Sequence, residues 1–158
     1  AGTRGGPLMT VMAGKALCVG DALKPEYKAD QQRVLDNCQA LASGLLSRGI
    51  QLVSGGSDNH LLLVDLRSTG ITGKELEHRL DEVYITVNKN AIPNDPEKPF
   101  VTSGVRLGTP AVTTRGLDTG DMDKVAEYIA LAATDCEANA DKIREDVTAI
   151  CKKHPRQQ

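Results

Sequence analysis

The chain has 158 residues, of which 40% are hydrophobic and 25% are charged. This is typical of one compact domain with its own hydrophobic core, and it argues against a disordered chain. The 19 basic and 21 acidic side chains leave a net charge of −2, which argues against a general binder of nucleic acids or of anionic membranes.

Two helices are predicted first. Pro7 suits the first turn of a helix, and apolar side chains on most faces of residues 8–23 predict that this helix is buried. Apolar residues at helical spacing predict a second, amphipathic helix over residues 25–48, which Gly49 can end.

Strands follow these helices. The candidates at residues 50–53 and 60–66 are separated by the turn-forming residues 54–59, a spacing that suits a hairpin. A helix is predicted after the capping box of Thr72 and Glu75, followed by a strand over 84–87 and a loop with three prolines over 90–99. A short strand over 104–108 and an irregular or short helical segment over 109–116 come next. The chain then has a helix capped by Asp121 and a final helix with Ile143 and Cys151. Strands grouped between helices, with helices closing the chain, predict an α+β or α/β layered fold.

The cysteines and the first residues indicate the setting of the chain. Cys18, Cys38, Cys136 and Cys151 have no CxxC spacing, so neither a zinc site nor a disulfide framework is indicated. We expect reduced, buried thiols in a cytoplasmic protein. There is no apolar signal segment and no initiator methionine at the start, and we therefore expect a piece of a longer chain.

A pair of glycines before the first helix is one candidate site. In Arg4-Gly5-Gly6-Pro7, glycine lets the backbone approach an anion, and the free N–H groups that begin a helix favour a phosphate. Two glycines are a weak signal, and a plain loop is the simpler interpretation.

Arg106 is a second candidate, because it lies between apolar residues and glycines on a predicted strand. A guanidinium cannot lose its charge, so a semi-buried one needs an anionic partner. That partner is either an internal Asp or Glu, or a ligand carboxylate, which suits the fork geometry of arginine. Gly104 and Gly108 could leave room for a small ligand, whereas Arg115 is more simply explained by a salt bridge within a loop.

Two further polar residues leave alternatives open. Asn90 either belongs to a solvated turn or supplies an amide that donates to and accepts from a heterocycle. His60 follows a glycine-rich turn and has no second metal ligand at helical spacing, so we interpret it as structural and expect no metal site.

Together these motifs resemble serine hydroxymethyltransferase, and the chain resembles the C-terminal part of that enzyme. The matching stretches are residues 5–16, GGSDNHLLLVDLR at 55–67, VNKNAIPNDP at 87–96 and SGVRLGTPAVTTRG at 103–116. Each motif alone is weak, but their order along essentially the whole chain makes the resemblance specific.

The resemblance implies a fold and an activity. The family comprises homodimeric or tetrameric enzymes of the aspartate-aminotransferase-like fold, which use pyridoxal phosphate and tetrahydrofolate to interconvert serine and glycine. Residues 1–23 would be the end of the large domain with a connecting helix. Residues 24–158 would be the small C-terminal domain, an α/β (α+β) unit whose small sheet packs against helices.

The resemblance also implies roles for individual residues. Arg106 would hold the α-carboxylate of the substrate, and Asn90 would contact the folate pterin. Gly5 and Gly6 would reach the phosphate of the cofactor bound to the partner subunit.

The chain departs from the family pattern in ways that bear on activity. Arg4 and Thr10 stand where the family usually has Gln and His, so the resemblance does not establish which residues contact the phosphate.

The family's lysine that binds the cofactor covalently lies upstream of the matching stretches, and Lys15 is better explained by helix packing. We therefore expect no catalytic residue in this chain and no activity from it alone. The alternatives are a non-catalytic binding or regulatory module derived from the same enzyme, and a different enzyme of the same cofactor class.

Overall fold

The computed structural model describes residues 8–155. Its elements are, in chain order, α1 (Met9–Ala22), α2 (Pro25–Ser47), β1 (Gln51–Leu52), β2 (Leu61–Asp65), α3 (Gly73–Glu82), β3 (Asn88–Asn90), β4 (Gly104–Gly108), α4 (Pro110–Thr114), α5 (Thr119–Thr134) and α6 (Cys136–Lys153). Across this range, none of the helices combines the length and the apolar character that crossing a membrane requires.

The described strands form one antiparallel sheet in the order β1-β2-β4-β3. β1 and β2 form the predicted hairpin, with Gln51 opposite Asp65. β4 lies inside the sheet and pairs with β2 on one side and β3 on the other. The predicted small sheet packed against helices is confirmed.

One face of this sheet forms the hydrophobic core. Successive side chains of a strand point to opposite faces, and Leu62, Val64, Val105 and Leu107 share the buried face. Burying a side chain of this kind stabilises the fold by about 1.5–3 kcal/mol. The helical residues of the core come mainly from α2, α3 and α5 and include Leu41, Leu45, Leu76, Leu80, Met122, Ala126 and Ile129.

Buried polar side chains fasten the segment after β4 to α2. The Nδ2 atom of Asn37 donates to Thr113 Oγ1 at 2.8 Å and to the carbonyl of Leu117 at 3.0 Å. The hydroxyl of Thr109 donates to the carbonyl of Val34 at 3.0 Å. The segment predicted as irregular or short helical therefore begins with α4, and the end of β4 is held in place.

Helix α1 differs from its prediction. The helix is present, but all of its residues are exposed, including Met9, Leu17 and Val19. A helix with apolar side chains on most faces needs partners on several sides, and among the described residues α1 contacts mainly α2. The expectation that it is buried is therefore wrong for the chain by itself.

The strand predicted over 84–87 is also wrong. Tyr84 has a left-handed backbone, with φ of 66°, and lies just after α3. Its N–H bonds to the carbonyl of Asp81, and the N–H of Ile85 bonds to the carbonyl of Leu80. These two bonds form a Schellman motif that ends the helix, so the strand begins only at Asn88.

The capping residue of α5 differs by three positions from the prediction. Asp118 is the N-cap, and its carboxylate accepts from the N–H of Asp121 at 3.0 Å. Asp121 returns a bond by accepting from the N–H of Asp118 at 3.3 Å. The two residues form a reciprocal capping box, in which Asp121 occupies the N3 position rather than the cap.

All four cysteines are free, but only two of them are buried. Cys38 and Cys136 lie in the core, where burial raises the pKa of each thiol. Cys18 and Cys151 are exposed, which corrects the expectation of four buried thiols. Cys18 is exposed because it lies on α1.

Candidate functional site

The sheet has an open face opposite the core, and Arg106 lies on it. The side chain of Arg106 is exposed, whereas its neighbours Val105 and Leu107 point into the core. Leu63 of β2 and Asn88 of β3 stand directly opposite Arg106 on its two sides. Directly opposed residues of antiparallel strands point to the same face, so Arg106 is flanked by an apolar side chain and an amide.

The structure bears on one of the two partners considered for Arg106, the internal carboxylate. Among residues 8–155, no carboxylate forms an ion pair with its guanidinium. The interpretation as an internal salt bridge is therefore wrong for the described chain. The expectation of a semi-buried side chain is also wrong, because Arg106 is exposed. Its five donors are available to a ligand that carries a carboxylate.

Asn90 shares the open face with Arg106. It lies opposite Gly104, two residues before Arg106, and residues two apart on a strand point to the same face. Such diagonal neighbours are about 7–8 Å apart. The Nδ2 atom of Asn90 donates to the carbonyl of Ala91 at 2.8 Å. The structure thus brings together two of the predicted site residues, with Asn90 at the end of a strand rather than in a turn.

Gly104 serves packing rather than ligand space. A Cβ atom at this position would lie 2.4 Å from Cγ2 of Ile92 and 2.7 Å from the carbonyl oxygen of Asn90. Both distances are well inside van der Waals contact, so only glycine allows the chain after β3 to approach β4. The expectation that Gly104 leaves room for a ligand is therefore wrong.

Residues 91–103 form a loop, here called the proline loop, that joins β3 to β4. The carboxylate of Asp95 lies at its centre and accepts four hydrogen bonds, from the N–H groups of Ile92, Glu97 and Ser103 and from the Ser103 hydroxyl. Desolvation raises the pKa of Asp95, but the bonds from Ser103, Glu97 and Ile92 outweigh it and hold the pKa well below its ordinary range. Asp95 is therefore ionised at neutral pH.

The far end of the proline loop is tied to α3. The N–H groups of Gly73 and Lys74, which have no partner inside the helix, bond to the carbonyls of Thr102 and Val101. Thr102 has a left-handed backbone with φ of 58° and is buried. The beginning of β4 is therefore fixed by a helix end on one side and by Asp95 on the other.

The carboxylate of Asp65 points to the same face of the sheet as Arg106, but it is already paired with another arginine. Asp65 lies opposite Gly104 on β2 and is 6% exposed. Arg67 donates to it from Nε and Nη2 at 2.6–3.1 Å, and hydrogen bonds from the Arg67 side chain lower the pKa of Asp65. Because Asp65 is paired with Arg67, it is not the partner of Arg106.

Arg115 and His60 do not join this site. Arg115 donates from Nε and Nη2 to the carbonyl of His154 at 3.1 and 2.9 Å, so it caps the end of α6 and the expected loop salt bridge is wrong. His60 is exposed in the bend before β2. In residues 8–155 no group of three or more His, Cys, Asp or Glu side chains could hold a metal ion.

The glycine pair predicted to contact a phosphate, Gly5 and Gly6, lies outside the described residues, as does Arg4. Lys15 is exposed on α1. Lys89 stands next to Asn88 and Asn90 but points to the other face of the sheet, where its Nζ atom lies 3.0 Å from Glu77 Oε2. Lys89 therefore does not lie beside Arg106 on the open face.

Sequence reasoning singled out Arg106 and Asn90 but missed two residues around them. Asn88 stands opposite Arg106, and only the pairing of β3 with β4 reveals this. Asp95 organises the proline loop, and the Asn-Asp-Pro sequence was the available signal, since Asp side chains commonly bond to backbone N–H groups in turns.

The chain is similar in sequence to known serine hydroxymethyltransferases. The family model described as serine hydroxymethyltransferase matches residues 1–129. A curated serine hydroxymethyltransferase from Alkalilimnicola ehrlichii (strain ATCC BAA-1101 / DSM 17681 / MLHE-1) is 51% identical over 157 residues, which is 98% of this chain. The chain spans 37% of the length of that relative.

Proposed function

Because this chain belongs to the serine hydroxymethyltransferase family, we propose that it is the C-terminal part of an enzyme that interconverts serine and glycine and transfers the one-carbon unit to tetrahydrofolate. In this proposal residues 1–23 end the large domain and connect it to the small domain, which is residues 24–158. The absence of buried residues in α1, together with a core that begins at Val34, supports this division.

One observation carries the proposal: Arg106 is exposed on a strand that is paired on both sides, and it has no carboxylate partner among the described residues. Serine and glycine both present a planar α-carboxylate, which a guanidinium can bind with two parallel hydrogen bonds. The open face around Arg106 would be the wall of the substrate site, and the rest of the site would come from the part of the protein that precedes this chain.

The amide of Asn90 supports the proposal that tetrahydrofolate is the second substrate. Its amide offers one acceptor and two donors, of which one donor is used by Ala91. A pterin ring presents both donors and acceptors at its edge, so the free groups of this amide suit it. The position of Asn90 on the same face as Arg106 would place folate beside the amino acid that exchanges a one-carbon unit with it.

The proposed cofactor is pyridoxal phosphate, which when bound supplies the electron sink for bond cleavage at the amino-acid substrate. Lys89 would not serve it beside Arg106, since its side chain points to the other face of the sheet and pairs with Glu77. Gly5 and Gly6 would contact its phosphate from a partner subunit in a homodimer or tetramer. We propose a cytoplasmic location and one-carbon metabolism, including glycine biosynthesis, as the setting.

The test compares the 158-residue chain with the full-length protein that contains it. Both are incubated with pyridoxal phosphate, reduced with borohydride and digested, and every labelled lysine is mapped. We expect one stoichiometric label in the full-length protein at a lysine upstream of Ala1, and only slow, scattered labelling of the chain. Only the full-length protein should convert serine to glycine in the presence of tetrahydrofolate.

Stoichiometric labelling of Lys15 in the isolated chain would contradict the proposal that the lysine that binds the cofactor lies upstream of this chain. An intact source protein no longer than this chain would instead favour the alternative, a non-catalytic binding or regulatory module derived from the same enzyme. Intact-mass measurement of the protein from its source distinguishes the two.

A further inference from the structure

Asp95 joins the two ends of the proline loop. Near the first end, Oδ2 accepts from the N–H of Ile92 at 3.2 Å. At the second end, Oδ2 accepts from the N–H of Ser103 at 2.9 Å, and Oδ1 accepts from the Ser103 hydroxyl at 2.7 Å. One carboxylate thus connects a residue just after β3 with the residue just before β4.

The proposed ligand residues lie directly beyond these two ends. Asn90 is two residues before Ile92, and Arg106 is three residues after Ser103. Ile92 is 5% exposed and packs over Gly104, where a Cβ atom would collide with it. The bond from Ile92 to Asp95 therefore sets where the chain leaves Asn90 relative to β4.

Only an ionised acid satisfies all of these donors. Asp95 accepts four hydrogen bonds at two oxygens, including one from the N–H of Glu97 at 3.0 Å. An asparagine that places its single oxygen at the Oδ2 position would keep the bonds from the N–H groups of Ile92 and Ser103, so Asp95→Asn does not separate the loop ends. Asp95→Ala removes both oxygens and therefore breaks the connection between the loop ends.

We propose that Asp95 is a positioning residue for substrate recognition: it fixes the amide of Asn90 relative to Arg106 and thereby strengthens folate binding. The inference rests on the roles proposed above for these two residues. Asp95 acts through Asn90 and does not itself contact the folate.

The test is a double-mutant cycle in the full-length protein, loaded with pyridoxal phosphate. Tetrahydrofolate affinity is measured by titration calorimetry for the wild type, Asp95→Ala, Asn90→Ala and the double variant. We expect Asp95→Ala to weaken tetrahydrofolate binding by about 5- to 20-fold in the wild-type background. In the Asn90→Ala background the same change should cost less than about twofold, because the amide that it positions is gone.

Two further variants keep the test decisive. Asp58→Ala makes the same chemical change in an exposed turn and should leave the affinity unchanged. Ser103→Ala removes only the hydroxyl donor to Asp95, and it should weaken binding by about 2- to 5-fold in the wild-type background alone. It replaces Asp95→Ala in the cycle if that variant does not fold.

The outcomes separate this inference from the proposed function. Equal losses in both backgrounds, or no loss in the wild-type background, would overturn the positioning role while leaving Asn90 as a folate contact. Unchanged folate affinity in Asn90→Ala would overturn both the folate role of Asn90 and the positioning role that depends on it. A loss confined to the wild-type background supports the inference.

Discussion

Asn88 and Arg106 lie directly opposite each other on β3 and β4, and both are exposed on the face of the sheet that does not contact the core. The amide and the guanidinium therefore form one polar surface, which Asn90 extends along β3. This pairing connects the two segments that carry the proposed folate contact and the proposed carboxylate contact.

Arg106→Ala in the full-length protein should weaken serine and glycine binding by about 2–5 kcal/mol, the usual range for breaking a desolvated charge pair. This corresponds to roughly 30-fold to several-thousand-fold in affinity. Arg106→Lys should recover little, because an ammonium keeps the charge but not the fork of donors. Titration with both amino acids measures the effect, and Arg33→Ala, which removes an exposed arginine of α2, is the control. Near-normal affinity in a folded Arg106→Ala protein would reject the carboxylate role.

Asn90→Ala in the full-length protein should weaken tetrahydrofolate binding more than glycine binding. A lost neutral hydrogen bond contributes about 0.5–1.5 kcal/mol, and more when a buried partner is left unpaired. Calorimetric titration of the two ligands gives the comparison. Asn139→Ala, on the exposed side of α6, removes an amide far along the chain and should affect neither ligand. Loss of glycine affinity with folate affinity retained would show that the assignment is wrong.

Asp65→Asn should destabilise the 158-residue chain at neutral pH by about 1–3 kcal/mol, because it removes charge-assisted hydrogen bonds from Arg67. These bonds lower the pKa of Asp65 in the folded state. A lowered folded-state pKa contributes stability above the unfolded pKa, about 3.9, and this contribution is lost as pH falls through the folded value. Urea unfolding of both proteins should therefore give free energies that converge below about pH 4. A difference that stays constant with pH would rule out the ionic origin.

Cys18 and Cys151 should react quickly with a thiol reagent, whereas Cys38 and Cys136 should react only after unfolding. Burial shields the second pair and raises the pKa of both thiols, which lowers their thiolate fraction. Thermal melts with and without reductant should superimpose, since no cysteine is in a disulfide. Rapid reaction of all four thiols in the folded chain would contradict the core described here.

Tyr84→Gly should stabilise the chain by about 0.5–1 kcal/mol. A left-handed backbone costs a non-glycine residue about 1–2 kcal/mol, and the greater unfolded-state freedom of glycine offsets part of the gain. Little packing is lost, because Tyr84 is 67% exposed. The matched change Gly49→Ala, at the equivalent position after α2, should destabilise by a similar amount, since Gly49 has φ of 79°. Urea unfolding checks both variants, and a less stable Tyr84→Gly chain would show that the ring packs on its surroundings.

The two helix ends show what local sequence determines. After α2 and after α3 the same pair of hydrogen bonds closes the helix, with Gly49 and Tyr84 in the left-handed position. The first end was predictable because glycine has an intrinsic preference for that backbone. The second was not, because tyrosine and the apolar residues after it favour a strand when considered alone, whereas in the structure their N–H groups bond back to the carbonyls of the helix end.

The sequence by itself determined the helices, the hairpin and the motifs that carry Arg106 and Asn90, because these follow from hydrophobic period, glycine and short-range hydrogen bonding. Tertiary structure alone decided that α1 is exposed in this chain, that Arg106 has no internal carboxylate partner among the described residues, and that Asn88 stands beside it. It also decided that Asp95 joins residues on both sides of the proline loop. Burial and pairing depend on which elements meet in space, and no local pattern specifies that meeting.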